Sequence, residues 1–431
     1  MQEFPLNSLE KLTEYSNDGD ALKVCMHILI IPSWYPCNAR DIGGSFFREQ
    51  AIALRKNGCK VGVIYPELRS LRNWRSIFSG DNIISVETDE GVETYRSRGM
   101  NWFPRTIALA SKLFVWHGCR LYDRYVAENG VPDIVHVHSL LYAGSVAARI
   151  CRKYSVPFVV TEHSSAYASN LVSNKELLLA KKASSVASKR FAVSNAFARL
   201  LNNLLGSENE PWEEMPNIVT QQFLNYQWPQ CKENNYFRFI NVAWMNDNKK
   251  QSNILHAFAE ACKLYPDLRL TLGGDGPERR QLQQLTNDLG IAEKVKFTGL
   301  LSRKQVLTEM ANADAFVLSS RHETFGVVVI EALALGKPVI ATRCGGPESI
   351  LRKEDGILIP VDDINALAAA MRQLLENPTD YDSAEIREAC RERYSEAAVA
   401  TRLKQVYAEV VNKTINHPQG CQLAVVPSVN P

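Results

Sequence analysis

Two glutamates with seven residues between them, Glu323 and Glu331, stand in the stretch Ser320 to Thr342. Gly326 falls where a loop would open into a helix, and Gly336 and Pro338 stop that helix before the apolar run Val339-Ile340-Ala341. The start of such a helix presents unpaired backbone N–H groups and the positive end of the helix dipole, which together suit a diphosphate. A carboxylate ahead of the helix can hold sugar hydroxyls, and one two turns inside can reach a ribose diol. The spacing therefore matches the two ends of a nucleotide sugar, although a surface glutamate followed by a helix-face glutamate would give the same short pattern.

Elements that could position these groups recur along the chain. The run His27-Ile28-Leu29-Ile30-Ile31-Pro32 reads as a buried first strand, and a loop through Gly43-Gly44 leads into helical spacing from Phe46 to Asn57. Further strands are predicted at Val61 to Tyr65, Ile134 to His138 and Phe158 to Thr161. The polar, proline-containing stretch after Met215-Pro216-Asn217 interrupts the pattern, and the alternation then resumes. Strands are predicted at Phe239 to Ala243, Leu268 to Leu272, Val295 to Phe297 and Ala315 to Leu318, with helices at Asn253 to Tyr265 and Arg280 to Leu289. Strands alternating with helices imply parallel sheets, so the fold class is α/β, with two facing Rossmann-like domains and a cleft at the carboxyl ends of their strands. The expected boundaries are a disordered extension over 1–25, a first domain over 26–218, a linker over 219–236 and a second domain over 237–396. A helix over 397–415, with a return to the first domain as one option, and a disordered tail over 416–431 complete the chain.

Composition narrows the function classes. The ten cysteines form no C-x-x-C pair and stand beside no histidines at metal-ligand spacing, so neither a zinc site nor a disulfide framework is indicated, and a reducing cytoplasm fits. No apolar run approaches twenty residues and no signal peptide is seen. Residues 26–200 hold 23 Lys and Arg against 13 Asp and Glu, a net +10 that leaves the rest of the chain at −8. The first half should accordingly prefer an anionic partner. A nucleic-acid partner is not expected, because no recognised motif or aromatic platform accompanies the charge. A nicotinamide dehydrogenase is excluded because the first strand is followed by Pro32-Ser33-Trp34-Tyr35-Pro36 and not by G-x-G-x-x-G.

The glutamate segment resembles the glutamate motif of the family-four retaining glycosyltransferases, which share the GT-B fold and include many bacterial polysaccharide enzymes. Other landmarks of that family follow in its order: Ile31 to Pro36 with Gly43-Gly44, Val137-His138, Thr161-Glu162-His163-Ser164, Val193 to Phe197, Pro216-Asn217, Gly273-Gly274-Asp275-Gly276-Pro277 and Gly345-Gly346-Pro347-Glu348. The likeness covers Met26 to Lys413. It implies that Glu323 contacts the donor sugar and faces positive charge at the anomeric carbon, that Phe325, Gly326 and Val327 offer N–H groups to the diphosphate, and that Glu331 binds ribose. It places Gly44 in the loop that closes over the diphosphate, Lys249, with Lys250 as the next candidate, against the leaving group, and His138 toward the donor sugar and acceptor. His163, at the end of the next strand, is an acceptor-side candidate.

One position departs from the family: Trp244 stands where an arginine is expected, and brings no cation to the leaving group. The resemblance implies a front-face mechanism in which the leaving phosphate accepts the acceptor's proton. No metal or other cofactor is expected, since the Asp18-Gly19-Asp20 pair lies in the extension. The implied partners are a UDP- or GDP-sugar and a glycan or lipid-linked saccharide, in cell-surface polysaccharide synthesis at the inner face of the membrane. Two basic, apolar stretches are candidate contacts with anionic lipid: Leu68, Leu71, Trp74, Ile77 and Phe78 beside Arg69, Arg72 and Arg75 if that stretch is helical, and Leu109, Leu113, Phe114 and Trp116 beside Lys112, Arg120 and Arg124 within Arg105 to Tyr125. The alternatives are a sugar-nucleotide epimerase of the same fold and a catalytically silent sugar-nucleotide-binding partner protein.

Overall fold

The computed structural model describes residues 25–37, 43–70, 84–103, 106–206, 210–227 and 236–416. The segments 1–24 and 417–431, for which disorder is expected, lie outside the described residues. The chain forms two α/β units, each built on its own sheet.

The first sheet contains β1 (His27–Pro32), β2 (Lys60–Arg69), β3 (Ile84–Asp89), β4 (Val92–Met100), β5 (Ile134–His138), β6 (Phe158–Glu162), β7 (Lys189–Ala192) and β8 (Trp212–Glu214). Their order is β3-β4-β2-β1-β5-β6-β7-β8, parallel except for β3, which runs antiparallel at the edge. The central strands β1, β5 and β6 are buried along their whole length, as strands covered on both faces must be. The second sheet contains β9 (Phe237–Val242), β10 (Leu268–Gly273), β11 (Val295–Gly299), β12 (Ala315–Leu318), β13 (Val339–Thr342) and β14 (Gly356–Ile359). Its order is β11-β10-β9-β12-β13-β14, all parallel.

In both sheets the strand order reverses beside the first strand of the unit, between β1 and β5 and between β9 and β12. Loops leaving the carboxyl ends of those strands diverge and open a crevice there. The long helix Glu396–Asn416 leaves the second unit and covers a face of the first. Val399, Leu403 and Tyr407 join Ile28, Ile30 and Val63 in one buried cluster, and the Tyr407 hydroxyl lies 2.6 Å from His136 Nδ1.

One sequence expectation is corrected by the fold. Leu68 and Arg69 do not begin a helix; they end β2, because the ladder to β4 continues as far as Arg69 opposite Met100. Residues 71–83, with the rest of that proposed helical face, lie outside the described residues. The second basic stretch does form a helix, Ile107–Asn129, which buries Phe114 and Leu121 and leaves Leu109 and Trp116 exposed. Arg105 is not among the described residues. Among the described residues no helix is long and apolar enough to cross a membrane.

Candidate active site

At the β9/β12 switch point a cavity of about 370 Å³ lies between the two units. Its floor comes from the ends of those strands, Val242 to Trp244 with Leu318 and Ser320. One wall is the loop Glu323 to Val328, and the first unit adds Phe46, His163 and Asn217. Gly326 precedes the helix Val327–Ala334 in a left-handed conformation with φ 105°, which a side chain would strain. Phe325, Gly326, Val327 and Val328 all line the cavity, so the helix turns its first-turn N–H groups and positive dipole end toward the space.

Glu323 is fixed from several directions. Its Oε1 accepts from Lys249 Nζ at 2.5 Å and from Ser320 Oγ at 2.8 Å. Its backbone N–H donates to Cys344 O at 3.0 Å, and its carbonyl accepts from Gly346 N at 2.8 Å. Gly346 has to be glycine for this approach, since an added Cβ would stand 1.9 Å from the Phe325 carbonyl oxygen. Lys249 is held equally firmly. Ser319 Oγ donates to the Lys249 and Lys250 carbonyls at 2.7 and 2.9 Å, while Asn248 exchanges hydrogen bonds with the backbone of Arg321 and His322. Lysine and glutamate therefore meet because two loops from adjacent strands are stitched together.

On the opposite wall, His163 stacks on Phe46 with ring centroids 5.0 Å apart and lines the cavity. His138 does not reach it. Its ring is fully enclosed, packs against Phe47 and lies 3.0 Å through Nδ1 from His163 Nε2. Burial, then the neighbouring histidines, hold the His138 pKa well below the usual histidine range, so the ring is neutral. His138 is not part of the cavity lining and meets it through its neighbours His163 and, by way of Phe47, Phe46. Behind both, buried Glu162 accepts N–H groups from Leu140, His163 and Ser164 at 2.8 to 2.9 Å, tying the loops after β5 and β6 together. Gly44, also left-handed at φ 78°, immediately precedes the helix Ser45–Lys56 and packs beneath Trp34.

Glu331 lies deeper than the cavity wall. It is 1% exposed, and its Oε1 accepts from Arg303 Nη1. Arg303 Nη2 donates to Glu49 Oε1 of the first unit at 3.1 Å. Burial raises the Glu331 pKa and the Arg303 guanidinium opposes that rise. Burial likewise pushes Glu49 up to about 7, against the pull of Arg303. This cluster borders a second interdomain cavity of about 640 Å³ lined by Ser302, Arg303, Glu49 and Glu396.

Several of these residues escape a reading of the sequence. Phe46 carries no motif chemistry of its own, and Asn217 and Ser320, though they stand in the landmark segments, gave no sign that they line the cavity. Arg303 is signalled only by the helix start at Ser302-x-x-Gln305, a capping box that says nothing of its partners. A second D-x-D in the sequence, Asp380-Tyr381-Asp382, belongs to the fold and not to the cavity: Asp382 accepts from Ala384 N and Glu385 N at the start of the helix Ser383–Tyr394. Trp244, 52% exposed, stands at the cavity edge, where Lys249 is the one Lys or Arg of the lining among the described residues.

Two parallel-sheet units facing each other across such a cavity define a GT-B architecture. Residues 43–222 match the family described as Glycosyltransferase Family 4 and residues 225–396 match Glycosyl transferases group 1, and the chain belongs to this family of glycosyltransferases. It is 38% identical over 156 residues to the lipopolysaccharide core biosynthesis glycosyltransferase LpsD of Rhizobium meliloti (strain 1021), a match that spans 36% of this chain and 45% of that protein, less than half its length. It is 25% identical over 350 residues to glycogen synthase of Mycobacterium tuberculosis (strain ATCC 25618 / H37Rv), covering 77% of this chain and 81% of that one. Among solved structures, sucrose-phosphate synthase from Thermosynechococcus elongatus superposes with a TM-score of 0.69 at 20% identity, over 90% of this chain and all of that one (100%). HepE of Anabaena, solved in complex with UDP, gives 0.68 at 18% identity over 89% of this chain and 100% of its own.

Proposed function

We propose that the chain transfers a sugar, with retention of configuration and without a metal, from a UDP- or GDP-sugar to a glycan or lipid-linked saccharide in cell-surface polysaccharide synthesis. The observation that carries the reading is the Lys249–Glu323 pair beside a helix amino terminus, in a cavity both domains line. Lys249 and the first-turn amides meet the negative charge that develops on the departing nucleoside diphosphate, and Glu323 holds donor hydroxyls and faces the positive charge at the anomeric carbon. The bond from the anomeric carbon to phosphate oxygen breaks, and the bond to the acceptor oxygen forms on the same face. The acceptor's proton passes to the leaving phosphate oxygen, so no protein base is required. His163 stands on the acceptor side.

The test is binding and turnover across UDP-, GDP- and ADP-sugars, with and without a chelator, for the intact chain and Glu331→Ala. Selective binding that the substitution removes supports the site. Binding of none, or binding that the substitution leaves unchanged, refutes it. Product formed with no acceptor present would favour the epimerase instead. Half-exposed Trp244 at the cavity edge favours one further reading, the silent binding partner, for which tight donor binding with no turnover would be the result.

The proposed place of action is the inner face of the cell membrane. Trp102, Phe103, Leu109 and Trp116 are exposed on the basic first domain, with Arg120 stacked 4.7 Å from the Trp116 ring centroid. This is the chemistry of an interfacial contact with anionic headgroups. Flotation with anionic vesicles checks it; protein that stays at the bottom of the gradient refutes it.

A further inference from the structure

Arg303 is the first residue of the helix Arg303–Ala311, and its guanidinium is shared between two carboxylates. Nη1 donates to Glu331 Oε1 in the second domain, Nη2 donates to Glu49 Oε1 in the first, and the group lies 5.3 Å from the Phe223 ring centroid in the connector between them. An arginine facing one carboxylate ordinarily takes both of its oxygens in a fork. Here the second arm is drawn across the domain boundary by Glu49, and the consequence is visible on Glu331: its Oε2 is buried and has no hydrogen-bond partner among the described residues. A buried carboxylate oxygen without a donor is costly, so an incoming hydroxyl gains more there than at a solvated site.

We propose that Arg303 is a positioning residue for the donor: it holds one oxygen of Glu331, leaves the other for the vicinal hydroxyls of the ribose, and does so because Glu49 engages its second arm. The proposal rests on the reading of Glu331 as the acceptor of the donor's diol. Its distinctive consequence is that Glu49, on the opposite domain, governs donor affinity through Arg303. Without Glu49 the guanidinium is free to close its fork on both oxygens of Glu331 and compete with the diol.

The experiment uses the nucleoside diphosphate that binds tightest among UDP, GDP and ADP, together with its 2′,3′-dideoxy analogue, by calorimetry on the full chain. In the intact protein the dideoxy compound binds about tenfold more weakly, the worth of a hydrogen bond to a charged group. Glu49→Ala brings the two affinities to within about twofold of each other by weakening the diol-bearing ligand. Glu49→Gln, which still offers an oxygen to Nη2, restores the difference. Arg303→Gln combined with Glu49→Ala is no worse than Arg303→Gln alone. A dideoxy penalty that survives in Glu49→Ala while Glu331→Ala abolishes it overturns the proposal and leaves the reading of Glu331 standing. A penalty unchanged in Glu331→Ala, or binding by none of the three, overturns both. If Glu49→Ala fails to fold, Glu49→Leu and the Arg303→Lys variant, whose single ammonium cannot span the two carboxylates, carry the same comparison.

Discussion

Removing the Lys249 ammonium with Lys249→Ala should cost the enzyme about 10²–10³ in kcat, the range found when one preorganised group facing developing charge is deleted. The structure sets the ceiling. Among the described residues Lys249 is the one Lys or Arg lining the cavity, 2.5 Å from Glu323, and the two side chains are only 23% and 15% exposed. Two unit charges about 4 Å apart interact by about 4 kcal/mol at an effective dielectric constant near 20, and contact with solvent brings that to about 3 kcal/mol, or a little over a hundredfold in rate. The lysine also holds Glu323 in place, so the substitution removes a cation and loosens a carboxylate together. Glu323→Gln should therefore fall by a comparable factor, and the double substitution should fall no further than the worse single one, because groups acting as a unit are not additive. Initial rates at saturating donor and acceptor, with melting temperatures to confirm folding, make the comparison. Losses below about tenfold, or a double mutant whose loss is the product of the singles, would refute the reasoning.

Replacing Trp244 with arginine puts a cation at the cavity edge, and because the site is half exposed the gain should be about 0.2–1 kcal/mol, or roughly 1.4-fold to fivefold tighter nucleoside diphosphate binding by calorimetry. Gly346→Ala puts a methyl carbon 1.9 Å from the Phe325 carbonyl, so the Glu323 loop must shift; donor turnover should fall at least tenfold while circular dichroism stays that of a folded α/β protein. Burial holds the His136 pKa down to about 3 from an ordinary 6.5, so between those values the unfolded chain binds the extra proton, and the stability due to the neutral ring is full above pH 6.5 and lost as pH falls toward 3. Urea unfolding should show that dependence, at up to about 1.4 kcal/mol per pH unit for this one group, and His136→Asn should flatten it. Tyr407→Phe removes the 2.6 Å hydrogen bond to His136 and should lower stability by about 1 kcal/mol with donor affinity unchanged.

The strands at Ile134–His138 and Ala315–Leu318 were legible to the residue, because short β-branched and apolar runs bounded by turn residues mark strands covered on both faces, even where, as in IVHVH, two histidines interrupt the run. The β3–β4 hairpin was not: ISVETD mixes charge with apolar residues as an exposed edge strand permits, while VETYRSRGM is largely buried yet carries Arg96, which is satisfied by the Pro36 carbonyl and Glu67 and so hides the strand in a charged-looking stretch. The site divides in the same way. Glu323 and Lys249 stand in motifs whose order along the chain could be followed, whereas Arg303 and Glu49 lie 254 residues apart and meet only because of how the domains face each other. His138 shows what periodicity leaves open. Alternation puts His136 and His138 on one face of β5, but whether that face meets the cleft or a helix depends on what covers it. Here Tyr407 of the helix Glu396–Asn416 covers His136, and Phe47 of the helix Ser45–Lys56 packs on His138.

The two glutamates of the motif share a device that the sequence pattern hides: each is tied to the first domain through a neighbour and not directly. Beside Glu323, the Thr324 carbonyl accepts from Ser194 Oγ at 2.6 Å, and the Thr324 hydroxyl donates to the His163 carbonyl at 3.3 Å. Beside Glu331 the tie is Arg303 to Glu49. The Lys249–Glu323 contact, by contrast, is held wholly within the second domain by Ser319, Ser320, Asn248 and Gly346. If the domains part, the cation and carboxylate keep their geometry, while the loop after Glu323 and the guanidinium beside Glu331 lose their outer anchors. Disturbing the boundary, as Ser194→Ala would, should therefore act on how firmly the donor is held more than on the rate once it is bound. Contacts that cross the domain boundary stand beside the two glutamates, and the Lys249–Glu323 pair is assembled on one side of the cleft.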